Sequence, residues 1–96
     1  MLILVTYDVD TTSPDGQRRL RRVAKECMNY GQRVQNSVFE CVVDFTQFTQ
    51  LKISLKSIIA EDVDSIRFYH LAQNYDAKVE TLGVKKGINL QGELII

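Results

Sequence analysis

The 96-residue chain carries twelve basic and twelve acidic residues, so its formal net charge is zero, and 45% of its residues are hydrophobic. These values fit one globular domain and exclude a disordered or collagen-like chain. No apolar run approaches the roughly 20 residues that a membrane-spanning helix requires. The opening apolar run is too short for a secretion signal and lacks a preceding basic segment, so we expect a cytoplasmic protein.

Metal-binding and redox side chains are few, because the chain has two cysteines, Cys27 and Cys41, and one histidine, His70. A structural zinc site usually needs four such ligands, so one chain cannot supply it. Both cysteines fall in apolar patterns and are expected to be buried free thiols. His70 alternates with apolar residues, and we expect it to have a structural or interface role.

Residues 2–9 are an apolar run rich in Ile and Val, which predicts a central strand buried on both faces. Residues 10–16 then collect Asp, Thr, Ser, Pro and Gly, a composition typical of a loop. Asp8 lies where the strand gives way to this loop. A carboxylate on such a rigid strand end suits a hard cation such as Mg²⁺ or Mn²⁺. From its position alone, however, a role in capping the following turn is the favoured interpretation, and Asp8 is a good metal ligand only if a two-fold axis brings two copies together.

Residues 15–30 are predicted to form an amphipathic helix that ends at Gly31. Its apolar face comprises Leu20, Val23, Ala24 and Cys27. Its other side is basic and carries Arg18, Arg19, Arg21, Arg22 and Lys25. Residues 17–33 hold six basic side chains against one acidic, a local charge of +5. Basic residues on a helix often serve only to keep its surface hydrated. Like charges at i and i+4 destabilise the helix, however, and binding to a phosphate backbone is a reason for the chain to retain them.

The rest of the chain completes an α+β pattern. Residues 32–43 form either one bent strand or a hairpin at Asn36-Ser37, which we favour because Asn and Ser suit tight turns. A helix over 46–60 and a half-buried strand over 65–71 give the ferredoxin-like order β-α-β-β-α-β. We assign residues 1–83 to this domain, with an extra short strand at 78–83. Residues 84–96 are expected to be a C-terminal extension that packs on the partner subunit of a homodimer.

Three segments stand out as motifs: Val5–Val9, the arginine-rich stretch 18–25, and residues 30–41, which read Tyr-Gly-Gln-Arg-Val-Gln-Asn-Ser-Val-Phe-Glu-Cys. Together they closely resemble the second of the two universal CRISPR-associated adaptation proteins, particularly the form that accompanies type I-C systems. The likeness runs from Met1 to about Gly83. It implies a ferredoxin-like homodimer in which C-terminal strands extend the partner's sheet.

The resemblance also implies site residues. The family's strand-end aspartate, matched by Asp8, binds Mg²⁺ or another divalent ion near the dimer axis and is the catalytic residue of a metal-dependent endonuclease. The substrates that the resemblance implies are single-stranded RNA or double-stranded DNA. With the basic helix face, the predicted nucleic-acid-binding residues are Arg18, Arg19, Arg22, Lys25, Arg33, Ser37 and Phe39. Which helix arginine corresponds to each family arginine is ambiguous, because helix length varies.

Two functions stay open at this point. The first is the endonuclease. The second is a non-catalytic scaffold, because the family also bridges two dimers of the CRISPR integrase subunit along the DNA that becomes a new spacer. The scaffold needs the arginines and the dimer but not Asp8. An RNA-binding or small-molecule-sensing ferredoxin-like domain is the least favoured reading, since the glycine-and-aromatic signature of RNA-recognition modules is missing.

Overall fold

The computed structural model describes residues 1–71 together with Glu80 and Leu82. Its elements are β1 (Leu2–Asp8), α1 (Pro14–Met28), β2 (Gly31–Gln35), β3 (Val38–Val42), α2 (Phe45–Ile58) and β4 (Ser65–Leu71). The predicted β-α-β-β-α-β order is therefore confirmed. Of the strand predicted at 78–83, the structure describes only Glu80 and Leu82, and neither lies in a strand. The rest of that segment and the extension at 84–96 lie outside the described residues.

The four strands form one antiparallel sheet in the order β2-β3-β1-β4. Side chains of β1 alternate between its two faces, as the pleat requires. One face, which we call the helix face, contributes Ile3, Val5 and Tyr7 to a core shared with α1 and α2. The other face, the rear face, carries Leu2, Leu4, Thr6 and Asp8 of β1, Val38 and Val42 of β3, and Arg67, Tyr69 and Leu71 of β4.

The prediction that β1 is central is correct, because it pairs with β3 on one side and β4 on the other. Its expected burial on both faces holds only in part within one chain. Ile3 and Val5 are fully buried on the helix face, whereas Leu4 is partly buried and Asp8 is exposed on the rear face. The two helices pack on the helix face only, so they do not bury the side chains of the rear face.

Both helices begin at side chains that accept backbone hydrogen bonds. Ser13 Oγ accepts from the Gly16 N–H at 3.1 Å, and Pro14 follows at the first helical position. Asp44 starts α2 with a reciprocal capping box to Gln47, in which the side chain of each accepts from the backbone of the other. The predicted helix ends were therefore right to within two residues.

Two details of the hairpin decide its geometry. Asn36 and Ser37 form the turn between β2 and β3, so the hairpin prediction is confirmed. Gly31 does not end α1 as predicted, because the helix stops at Met28 and Gly31 opens β2. A Cβ at Gly31 would lie 2.1 Å from the Glu40 carbonyl oxygen, so glycine is needed here for the close approach of β3.

The register of α2 can be tested with two aliphatic side chains that are two residues apart. Leu51 is fully buried, whereas Ile53 is 65% exposed. We expect Leu51→Ala to lower the free energy of unfolding by about 2–5 kcal/mol because it leaves a cavity. The control Ile53→Ala should change it by less than about 0.5 kcal/mol. Equal effects in urea titrations would show that the helix faces the core differently.

Candidate functional site

Asp8 lies at the exposed end of β1 on the rear face of the sheet, opposite Ser65 of β4. Within the described residues its carboxylate has no hydrogen bond or ion pair. Its backbone is held on both sides: the Tyr7 N–H donates to the Ser37 carbonyl at 3.1 Å, and Val9 is buried in the core. The strand therefore presents an unpartnered carboxylate from a fixed backbone.

The loop after Asp8 is built by local polar contacts. Asp10 Oδ1 accepts from the Thr12 N–H at 3.0 Å and from the Thr12 hydroxyl at 2.8 Å. These bonds lower the pKa of Asp10. Asp15 lies in the first turn of α1 and pairs with Arg18 at 3.1 Å on the exposed surface. Asp10 and Asp15 thus have turn and helix-end roles.

Asp64, just before β4, is a buried acid that sequence reasoning missed. Its side chain is fully buried and pairs with Arg19 Nε at 2.8 Å. It also accepts from the backbone N–H groups of Asp10 at 3.0 Å and Ala60 at 2.9 Å. Burial alone raises the pKa of Asp64, but the bonds from Arg19, Ala60 and Asp10 outweigh it, so the net pKa is lowered. The sequence offered no signal beyond an acid placed before a strand.

This pairing changes the interpretation of Arg19. It was predicted to bind nucleic acid with the other helix arginines, but its side chain is only 19% exposed and its guanidinium is engaged by Asp64. The reason is its position on α1, which turns it toward the α2–β4 loop. Arg19 therefore holds the fold together and is not presented to a phosphate.

The remaining cations of α1 form an exposed patch, which we call the basic patch: Arg18, Arg21, Arg22 and Lys25. Arg18 is tied only to the exposed Asp15, a contact that contributes little. The other three have no ion pair within the part of the chain that the structure describes. Since α1 packs on the helix face, the basic patch lies on the side of the sheet opposite to Asp8.

Arg33 and Phe39 face each other across the β2–β3 pair. The Arg33 guanidinium lies over the Phe39 ring at 5.3 Å, and Phe39 stacks on Tyr7 with ring centroids 6.2 Å apart. Burial raises the pKa of Tyr7, which the nearby Arg33 partly offsets, and the Tyr7 hydroxyl donates to the Asn36 carbonyl at 3.2 Å. Arg33 itself is exposed.

Phe39 was predicted to contact nucleic acid directly, and the structure does not support this. Its side chain is fully buried in the core, so no base can stack on it in this conformation. It serves instead as the platform under Arg33. Ser37 is partly buried in the turn, where its carbonyl oxygen accepts from the Tyr7 N–H.

The rear face holds a second residue that sequence reasoning did not single out. Arg67 of β4 is in register with Thr6, one row from Asp8 on the same face, and is exposed. It donates to the Tyr69 hydroxyl at 3.4 Å. Placing Arg67 and Asp8 on the same face requires the register between β1 and β4. The sequence does not reveal that register, so alternation within β4 alone could not identify Arg67.

The donor type at Asp8 fits a hard divalent cation, but the number of donors in one chain does not. Within residues 1–71, no cluster of three or more His, Cys, Asp or Glu side chains could hold a metal ion. The two cysteines are free and buried, as expected, and burial raises the pKa of Cys27 to about 12 and that of Cys41 to about 11. A metal at Asp8 therefore needs ligands from elsewhere, such as a second Asp8.

Comparison with known proteins places this geometry in a family. Residues 1–79 match the profile of the family described as CRISPR associated protein Cas2. The chain belongs to the Cas2 family. A CRISPR-associated endonuclease Cas2 of Halalkalibacterium halodurans is 60% identical over 95 residues, 99% of each chain. A CRISPR-associated endoribonuclease Cas2 of Chlorobaculum tepidum is 53% identical over the full length of both chains.

Solved Cas2 structures share the fold. The crystal structure of Streptococcus pyogenes Cas2 superposes with a TM-score of 0.81 and 59% identity, covering 86% of this chain and all of that one. The family resemblance read from the sequence is thus confirmed, while the assignment to type I-C systems stays a prediction. Within the described residues, no helix is long and apolar enough to cross a membrane.

The Asp64 contacts predict a specific pH dependence. Because the folded-state pKa of Asp64 lies below the unfolded value of about 3.9, its contribution to stability is complete above about pH 4 and is lost as pH falls through the lowered folded value. Asp64→Asn should therefore be less stable than the parent protein at neutral pH, and the gap should shrink below about pH 4.

The matched control is Asp62→Asn, which removes the same charge from an exposed residue in the same loop. Its free energy of unfolding should follow that of the parent protein at every pH. Urea titrations between about pH 2 and pH 7 measure both differences. A gap for Asp64→Asn that stays constant down to about pH 2 would show that its carboxylate is not held in the charged state.

Proposed function

We propose that this protein is a metal-dependent endonuclease that cleaves phosphodiester bonds in DNA or RNA, as part of CRISPR defence. Relatives at 60% and 53% identity over nearly the whole chain are named endonuclease and endoribonuclease. The observation that carries the proposal is Asp8, an exposed carboxylate without a partner among the described residues, on a backbone fixed by β3 and the core. By contrast, both carboxylate oxygens of Asp64 accept hydrogen bonds, and Asp10 Oδ1 accepts two from Thr12.

A homodimer that packs through the rear face would complete the site. Val42 and Tyr69 on that face are each 43% exposed in the single chain, so a partner that packs there would bury apolar surface. Asp8 lies on the same face. An isologous contact repeats each residue across a two-fold axis, so an axis passing near the end of β1 would bring two Asp8 carboxylates together.

In this mechanism the paired Asp8 carboxylates would hold Mg²⁺ or Mn²⁺, for which oxygen ligands are preferred. When bound, such a cation polarises a phosphate oxygen and lowers the pKa of a coordinated water. Arg67 lies on the same face as Asp8 and can neutralise charge that develops on the phosphate in the transition state. The bond from the Tyr7 N–H to Ser37 keeps the strand end, and with it Asp8, in a constant position.

A second function is favoured by a separate observation. The basic patch lies on the opposite side of the sheet from Asp8, so it can bind a nucleic-acid backbone without taking part in cleavage. In a rear-face homodimer the two basic patches would point outward, away from the interface. We propose that they bind duplex DNA in the integrase complex, where the protein acts as an adaptor between integrase subunits.

The nuclease proposal is tested by Asp8→Asn, which removes the charge and keeps the size. We expect Mg²⁺-dependent cleavage of labelled DNA and RNA to fall below detection, because the neutral amide lacks the negative charge with which a carboxylate binds Mg²⁺. Duplex binding, measured by fluorescence anisotropy without metal, should be unchanged. The control Asp62→Asn should cleave like the parent protein.

Mixing the two chains tests the shared site. Excess Asp8→Asn chain added to the parent protein should reduce cleavage in proportion to the mixed dimers formed, because each mixed dimer lacks one carboxylate. Cleavage that persists in purified Asp8→Asn protein would reject Asp8 as the metal ligand. Cleavage that the excess chain leaves unchanged would reject the paired site.

The adaptor proposal predicts a change in salt dependence. Replacing Arg22 and Lys25 by Gln should weaken duplex binding and lower the slope of log K against log salt by about two for each basic patch that contacts the duplex, one for each lost phosphate contact. The matched control replaces Lys52 and Lys56, two exposed lysines of α2, and should leave the slope within error. Equal slopes for the two double variants would mean that the basic patch is not the binding surface.

A further inference from the structure

The buried carboxylate of Asp64 connects several parts of the described structure. It accepts four hydrogen bonds: from Asp10 N–H and Ala60 N–H, and from Nε and a terminal nitrogen of Arg19 at 2.8 and 3.4 Å. These donors come from three separate parts of the chain, namely the β1–α1 loop, α1 and the α2–β4 loop. One side chain thus fixes the relative positions of all three.

Two of these parts adjoin Asp8. Asp10, whose N–H binds Asp64, follows Asp8 by two residues. Ser65, the cross-strand partner of Asp8, directly follows Asp64. The carboxylate of Asp64 therefore ties together the backbone leaving Asp8 and the backbone entering the strand beside it. Neither connection involves the Asp8 side chain, which stays exposed.

A third contact shows how closely this loop is seated. A Cβ placed on Gly16 would lie 1.8 Å from the Asp10 carbonyl oxygen. The loop therefore packs so closely on α1 that only glycine fits at position 16. Stability alone is a weak reason for the ion pair, because well-packed apolar residues often stabilise a fold as well as a buried ion pair does. Its specific effect is on the position of the loop.

We propose that Asp64 and Arg19 are a positioning pair for the candidate nuclease site: they set the place and direction of the Asp8 carboxylate and do not touch the nucleic acid. The inference rests on the proposed nuclease function of Asp8. It also gives Arg19 a role different from that of Arg22 and Lys25. Removing Arg19 should impair cleavage through Asp8, whereas removing its neighbours should impair binding.

The experiment compares Asp64→Asn with Asp62→Asn in steady-state cleavage at saturating Mg²⁺. Misplacing a reacting group by about 1 Å costs up to about a hundredfold in rate, so we expect kcat to fall about ten- to a hundredfold. KM and the salt slope of duplex binding should not change, because the basic patch is untouched. A general loss of folded structure would instead lower cleavage and binding together.

Arg19→Met and the double variant Arg19→Met/Asp64→Asn complete a mutant cycle. If the two residues act as one unit, the double variant should lose no more kcat than either single variant. Arg19→Met should also keep the parent salt slope. A slope reduced by about one, as expected for a phosphate contact, would overturn the inference.

Failure of this inference can be told apart from failure of the proposed function. If Asp8→Asn still cleaves, the nuclease site itself is rejected. If Asp8→Asn is inactive but Asp64→Asn keeps the parent kcat, only the positioning pair is rejected. Should Asp64→Asn fail to fold, Arg19→Lys keeps the buried charge but loses the two-pronged contact: a lower kcat with unchanged binding supports the pair, and an unchanged kcat overturns it.

Discussion

The alternation of side chains along β1 is the constraint on which the rest of the structure depends. Because β1 is the inner strand between β3 and β4, its register fixes both neighbours, and a shift by one residue would turn its whole apolar set out of the core. The same two-residue period that buries Ile3, Val5 and Tyr7 sends Asp8 to the rear face. The face of the sheet on which the candidate site lies is thus a consequence of core packing.

The charged residues near the end of β1 fall into two groups: buried residues that stabilise the fold, and exposed residues that could contact a ligand. Asp64 and Arg19 are withdrawn from solvent and satisfy each other, so their charges contribute little to any external field. Asp8 and Arg67 are exposed on the rear face of the single chain. An exposed carboxylate such as Asp8 exchanges only water for a cation, whereas Asp64 would first have to break four hydrogen bonds within the protein. This difference supports Asp8 over its acidic neighbours.

Residue patterns within single helices and strands were enough to predict most of the fold. Apolar spacing located both helices and four strands, and the Asn36-Ser37 turn followed from residue type. Contacts between distant elements were not readable: Asp64 meets Arg19 across 45 positions, and nothing local marks either residue as buried. Gly31 was misread for a related reason, since its requirement comes from the neighbouring strand and not from the helix before it. Phe39 was assigned a contact by resemblance, but alternation with Val38 and Glu40 already put it on the core side.

The separation between Asp8 and the basic patch bears on how binding and cleavage can be combined. Asp8 is on the rear face, whereas the basic patch is on the outer side of α1, a layer about 10 Å thick. Lys25 also lies eleven residues beyond Pro14, about 16 Å along the helix axis from the end of the sheet that carries Asp8. Exposed charges at such separations are largely screened at physiological salt, where the Debye length is about 8 Å. Lys25 can therefore hold a nucleic acid but lies too far along the helix to neutralise a phosphate at Asp8. A cleaving site on the rear face draws on the positive charges of that face, which are Arg67, a bound cation or the partner copy, and this makes cleavage more dependent on dimer formation than binding is.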